Sequence, residues 1–224
     1  MRRFFYFGPE WSELDFEADF AARINALADR DLFADGMQGL QRSLPFYPGG
    51  RLLQFRHTRW VEQQQRLCFL EVGDKLVWLN GTSPPIHEVN ATGALLLDEA
   101  NVLDYLCFFC FFVRGEEGPF LILDSIDTPF LPKGITDYRM PAGKGPAASF
   151  AELFRPPMLH GRDAAGKFRV DAMMYYSNAV FTADMLVQPG GMVEMQDDEP
   201  MLADLPSKID APLIVRNEDV QTTH

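Results

Sequence analysis

FRVDAMMYYSNAVFTADMLVQPGGMVEM, residues 168–195, is the stretch whose reading decides the fold. Its apolar and polar side chains alternate with a period of two, the signature of a half-buried strand. Ser177-Asn178 as a two-residue turn pairs Phe168 with Val187, Val170 with Met185, Ala172 with Ala183, Met174 with Phe181 and Tyr176 with Ala179. Every pair on that face is apolar, which makes it a core face. A turn at Pro189-Gly190-Gly191 adds a third strand with Val193 and Met195 on the same face, leaving Met192, Glu194 and Gln196 outside. The stretch predicts a three-stranded antiparallel meander.

Upstream, Leu52 to Trp60 reads as a strand, and Leu67 to Val72 and Leu76 to Asn80 form a hairpin about Gly73-Asp74. That register pairs Leu70 with Val77 and Cys68 with Leu79 on one face, and Phe69 with Trp78 beside Glu71 with Leu76 on the other. Further upstream, Phe16, Phe20, Ile24 and Leu27 recur at helical spacing. The pattern predicts a helix from Ser12, its cap, to about Asp31, with one or two more turns over Met37 to Leu44 before Pro45, Pro48, Gly49 and Gly50. Ser83 before Pro84 and Pro85 starts a helix over Ile86 to Leu97.

Asp98 to Val113 fits a helix stripe and a strand alike; its aromatic density predicts a short helix over Glu99 to Asp104 and a strand from Tyr105. That strand turns at residues 115–118 and returns as Phe120 to Leu123, apolar on both faces and therefore central. Residues 124–148 form a long loop of little periodicity, and Ser149 with Glu152 matches a capping box.

Runs of helix followed by runs of strand predict an α+β fold, an N-terminal helical layer on a curved antiparallel sheet or partly open barrel. The expected organisation is a single domain over 1–224. It comprises a helical layer over 1–50, first hairpins with a helix over 51–123, the loop at 124–148, the meander at 149–196 and an acidic tail at 197–224.

Thirty-two acidic against twenty basic side chains give a net charge of −12, a field that repels phosphate backbones, so nucleic acid is not an expected partner. The N-terminal apolar run Phe4 to Phe7 ends at Gly8, Pro9 and Glu10, short of an export signal, and Tyr105 to Val113 is far shorter than the ~20 residues of a membrane helix. No membrane association is expected. Three cysteines fit a reducing compartment, and a cytoplasmic location follows as the expectation.

Cys107 and Cys110 form a C-x-x-C pair that a strand would split between opposite faces; only a helix could bring the thiols together, and buried structural cysteine is the stronger reading. On the meander's outer face Asp171 lies across from Asp184, with Gln196 as the nearest third oxygen, a weak candidate cation site beside the plainer reading of a solvated face. Between residues 42 and 66 five arginines meet the single Glu62, a local charge of +4. His57 and Arg59 share a face there with Leu53 and Phe55. Together with Arg56 they are candidate ligand-binding groups for a small anion. The favoured alternative pairs these arginines with the acidic segments 8–37 or 194–219, each about −6.

His57, His87 and His160 show no metal-ligand spacing, and no G-x-S-x-G, P-loop or G-x-G-x-x-G is present, so no cofactor is expected. Met173, Tyr175, Val180 and Leu186 fall on the outer face, apolar surface that a second copy would cover; a homodimer is therefore expected. These readings favour a non-catalytic module binding a small ligand or a protein partner. The rival is an enzyme with His57 and Arg59 in a cleft between the sheet and the 124–148 loop, acting on an anionic substrate.

Overall fold

The computed structural model describes residues 10–28, 37–57, 66–128, 131–132, 134–137 and 148–205, with His57 described by its backbone only. The described residues divide into two compact units, one within residues 9–96 and the other within residues 97–211.

In the N-terminal unit, β1 (Ser12–Glu13), β2 (Met37–Leu44), β3 (Tyr47–His57), β4 (Leu67–Val72) and β5 (Lys75–Trp78) form an antiparallel sheet in sequence order. The helices are α1 (Ala18–Ala28) and α2 (Pro84–Asn90). The expected β4–β5 register is observed, Leu70 against Val77 and Phe69 against Trp78, and Leu79 donates its N–H to the Cys68 carbonyl. Ile24 of α1 is buried with Leu53, Phe55, Leu67, Phe69 and Leu76, and Leu14, Phe16, Phe20, Met37 and Trp78 close over them.

The expected helical layer over 1–50 needs correction. Ser12 is in a strand rather than capping a helix, and Phe16 precedes α1. Residues 37–44 pair along β3 instead of making helical turns, Gln38 against Arg56 and Leu40 against Gln54. The 14–16 segment packs closely over Gly39: a Cβ there would lie 3.0 Å from the Phe16 ring and the Leu14 carbonyl oxygen, so a larger residue would require that segment to give by a few tenths of an ångström. Pro48, Gly49 and Gly50, expected to end a helical segment, form the start of β3 next to a register shift, with Gly49 at a φ of 74°. Helix α2 ends at Asn90, before Gly93 with its φ of 78°, rather than running to Leu97.

In the C-terminal unit, α3 (Val102–Phe112) leads to the short hairpin of β6 (Arg114–Gly115) and β7 (Gly118–Pro119) and then to β8 (Leu121–Ile122). A four-residue helix, α4 (Phe150–Leu153), precedes β9 (Met158–Arg162), β10 (Phe168–Tyr176), β11 (Ala179–Val187) and β12 (Val193–Leu202). The predicted meander is observed, including Phe168 against Val187 and Asp171 against Asp184. β8 and β9 lie end to end along the other edge of β10, pairing with Met174–Tyr175 and with Phe168–Asp171. Neither large sheet closes into a barrel.

The strand expected from Tyr105 is instead the body of α3, whose residues from Tyr105 to Phe112 are all buried. A helix apolar on every side has no polar face to set its stripe apart, so periodicity fitted helix and strand alike. Its start is set by Asp98, whose carboxylate accepts the N–H groups of Ala100 at 2.8 Å and Asn101 at 3.0 Å. Tyr105 anchors α3 to the meander by donating its hydroxyl to the Gly191 carbonyl at 2.7 Å. The capping box of α4 is observed in both halves, Glu152 N–H to Ser149 Oγ at 3.3 Å and Ser149 N–H to Glu152 Oε2 at 2.7 Å.

Two further expectations change at β12. Residues 197–202 extend that strand rather than opening a frayed tail, and Leu202 and Leu205 are buried. Met195 faces Met185 as expected yet is exposed, because β12 is the sheet's edge. The apolar groups expected on the outer face are covered by the chain itself: Met173, Tyr175 and Val180 are buried, and the Arg155 N–H meets the Met173 sulfur at 3.1 Å. The surface on which the homodimer expectation rested is thus mostly internal.

Candidate functional site

The arginine-rich segment supplies the site. Arg42 pairs with Glu10, inside the acidic 8–37 stretch, and Arg51 pairs with Glu71 on the adjoining strand while donating to Gln41 Oε1 at 2.6 Å. Arg56 differs. Its Nε donates to Gln38 Oε1 at 2.6 Å, and among the described residues no carboxylate lies within ion-pair distance of its guanidinium.

Arg56 lines a cleft of about 430 Å³ whose other walls are residues 13–16 and 37–40. The volume is within the roughly 300–1,000 Å³ of small-molecule sites. Strand alternation explains the lining. Leu14, Phe16 and Met37 face the core beneath, which sends Glu13, Asp15 and Gln38 to the opposite face, beside Arg56. The cleft therefore carries one guanidinium, one amide and two carboxylates. Sequence reading found Arg56 but missed Glu13, Asp15 and Gln38, because it placed both segments in helices, where two-residue alternation carries no meaning.

Of the other two anion candidates, the side chain of His57 and the whole of Arg59 lie outside the described residues, as do residues 129–130, 133 and 138–147 of the loop that the enzyme reading invoked.

On the C-terminal sheet the structure brings Asp171 and Asp184 together, but a register shift after Asp184 sets Asp197, not Gln196, beside it. Gln196 lies instead within 3.5 Å of Glu194. His160 on β9 places Nε2 2.5 Å from Asp171 Oδ2, a partner that no sequence spacing announced, since β9 itself was not foreseen. Among the described residues no group of three or more His, Cys, Asp or Glu is placed to hold a metal ion.

Cys107 and Cys110 do share a helix, but both are buried and neither forms a disulfide, and burial pushes the Cys110 thiol up to about 12. A thiol held protonated this firmly is a poor nucleophile and metal ligand. Asp124, after β8, is raised to about 6, mainly by burial and further by the charge of Asp104. Glu194 is held below the usual carboxylate range by hydrogen bonds from Gln188 and Lys167. No helix among the described residues is long and apolar enough to cross a membrane.

Comparison with protein-family models, curated proteins and solved structures yields no match.

Proposed function

We propose that the protein is a small-ligand-binding module whose site is the cleft beside Arg56, and that the ligand carries an anionic group. The observation that supports this is the contrast among the arginines: Arg42 and Arg51 are neutralised by Glu10 and Glu71, whereas Arg56 presents its guanidinium to a cleft. With Nε engaged by Gln38, the Nη1 and Nη2 edge is the part left to grip a carboxylate or phosphate. Gln38 holds the planar group in place, which reduces the side-chain entropy lost on binding.

Thermal unfolding against a panel of carboxylates and phosphates tests the reading. A ligand at ~100 times its dissociation constant adds about 2.7 kcal/mol of stability. The expected result is a raised midpoint for the wild type with at least one of them, abolished in Arg56→Gln. A rise of equal size in both proteins would place the ligand elsewhere.

A further inference from the structure

We infer, building on the ligand-site reading above, that the cleft takes a small zwitterion, a molecule carrying a carboxylate and an ammonium group on one short chain. The strand register carries the argument. Gln38 pairs with Arg56 across β2 and β3, Glu13 pairs with Leu40 across β1 and β2, and the Leu14 N–H continues that ladder to the Gly39 carbonyl at 3.0 Å. Neighbouring strands are about 4.8 Å apart, so the cationic and anionic walls stand two spacings, roughly 10 Å, from each other at the backbone, with Gln38 between them.

At that separation the charges do not cancel: among the described residues no ion pair joins Arg56 to Glu13 or Asp15. Nor does any ion pair among them join either carboxylate to another cation. A simple anion bound at Arg56 is opposed by the field of Glu13 and Asp15, and a simple cation bound between those carboxylates is opposed by Arg56. A ligand with both charges meets both walls with the favourable sign. Its carboxylate takes the Nη1 and Nη2 edge of Arg56, and its ammonium takes the Glu13 and Asp15 side.

Isothermal titration calorimetry with a matched trio of probes tests this: γ-aminobutyrate carries both charges, butyrate the anion alone and butylammonium the cation alone. The expected result is γ-aminobutyrate binding at least about tenfold more tightly than either of the others. Arg56→Gln is expected to lower its affinity to that of butylammonium, and the double variant Glu13→Gln with Asp15→Asn to that of butyrate. Unchanged far-ultraviolet circular dichroism and melting midpoints confirm that the variants are folded. Butyrate binding as tightly as γ-aminobutyrate, with Arg56→Gln abolishing both, would overturn the zwitterion inference and leave the anionic-ligand reading standing. Absence of γ-aminobutyrate binding, or binding indifferent to both variants, would overturn the inference. If the anion panel also leaves the melting midpoint unmoved, the ligand-site reading falls with it.

Discussion

Asp171 stands directly across from Asp184 on the outer face of the β10–β11 pair, and β12 adds Asp197 beside Asp184. Like charges directly opposite in a sheet destabilise it, and here His160 hydrogen-bonds to Asp171 at one end of the row and the Asp198 N–H to Asp197 at the other, while Asp184 between them has no such partner among the described residues. Because the side chains are exposed, solvent and salt screen the row. Asp184→Thr is expected to stabilise the protein by about 0.5 kcal/mol in low-salt urea unfolding, with the gain shrinking at ~0.5 M salt. An unchanged or lowered midpoint would mean that the row is compensated by something other than His160.

Asp124 sets an acid-range stability slope. Its carboxyl is raised from 3.8 to about 6, chiefly by burial, so between those values the folded chain holds a proton that the unfolded chain has released. Stability therefore falls as pH rises through that window and is level above it. Asp124→Asn mimics the protonated form and is expected to be the more stable protein at pH ~7. After discounting for solvent screening of this partly exposed group, the gain is about 1 kcal/mol, vanishing near pH ~4. Urea midpoints of both proteins across that range check the sign.

Tyr176 clips the β6–β7 hairpin to the meander. Its hydroxyl oxygen accepts the Glu117 N–H at 3.0 Å, and its ring stacks on Phe120 with centroids 4.2 Å apart and an interplanar angle of 9°. Tyr176→Phe keeps the stack and removes the acceptor, so a loss of about 1 kcal/mol is expected. Faster amide exchange at Glu117, with exchange in β10 and β11 unaltered, would assign the loss to the hairpin.

Gly39 supports the cleft. Gly39→Ala puts a methyl against the Phe16 ring and the Leu14 carbonyl, and is expected to cost about 1–2 kcal/mol as the 12–16 segment shifts outward. Glu13 and Asp15 move with that segment, so ligand-induced stabilisation should weaken as well. Full stability in this variant would show that the segment is not held as tightly as the geometry indicates.

The sequence made the C-terminal meander readable because a two-residue turn and a core face on one side leave a single register. The β4–β5 hairpin was readable for the same reason, through Gly73-Asp74. The α3 segment was not, since Tyr105 to Phe112 is apolar around the whole helix and no period distinguishes it from a central strand. Nor was β2, whose weak alternation over Met37 to Leu44 acquires meaning only when β3 lies beside it. The site follows the same division. Arg56 stood out through the local excess of arginine, whereas Glu13, Asp15 and Gln38 join it only through the register of three strands.

An amide NMR titration of the uniformly labelled protein with γ-aminobutyrate tests the central claim, that the Arg56 cleft is where this protein binds its ligand. Saturable shifts concentrated on residues 13–16, residues 37–40 and Arg56, and absent from the Arg56→Gln protein, are the result the account predicts. Shifts centred on the C-terminal sheet, or shifts in the cleft that persist unchanged without the guanidinium, would contradict it.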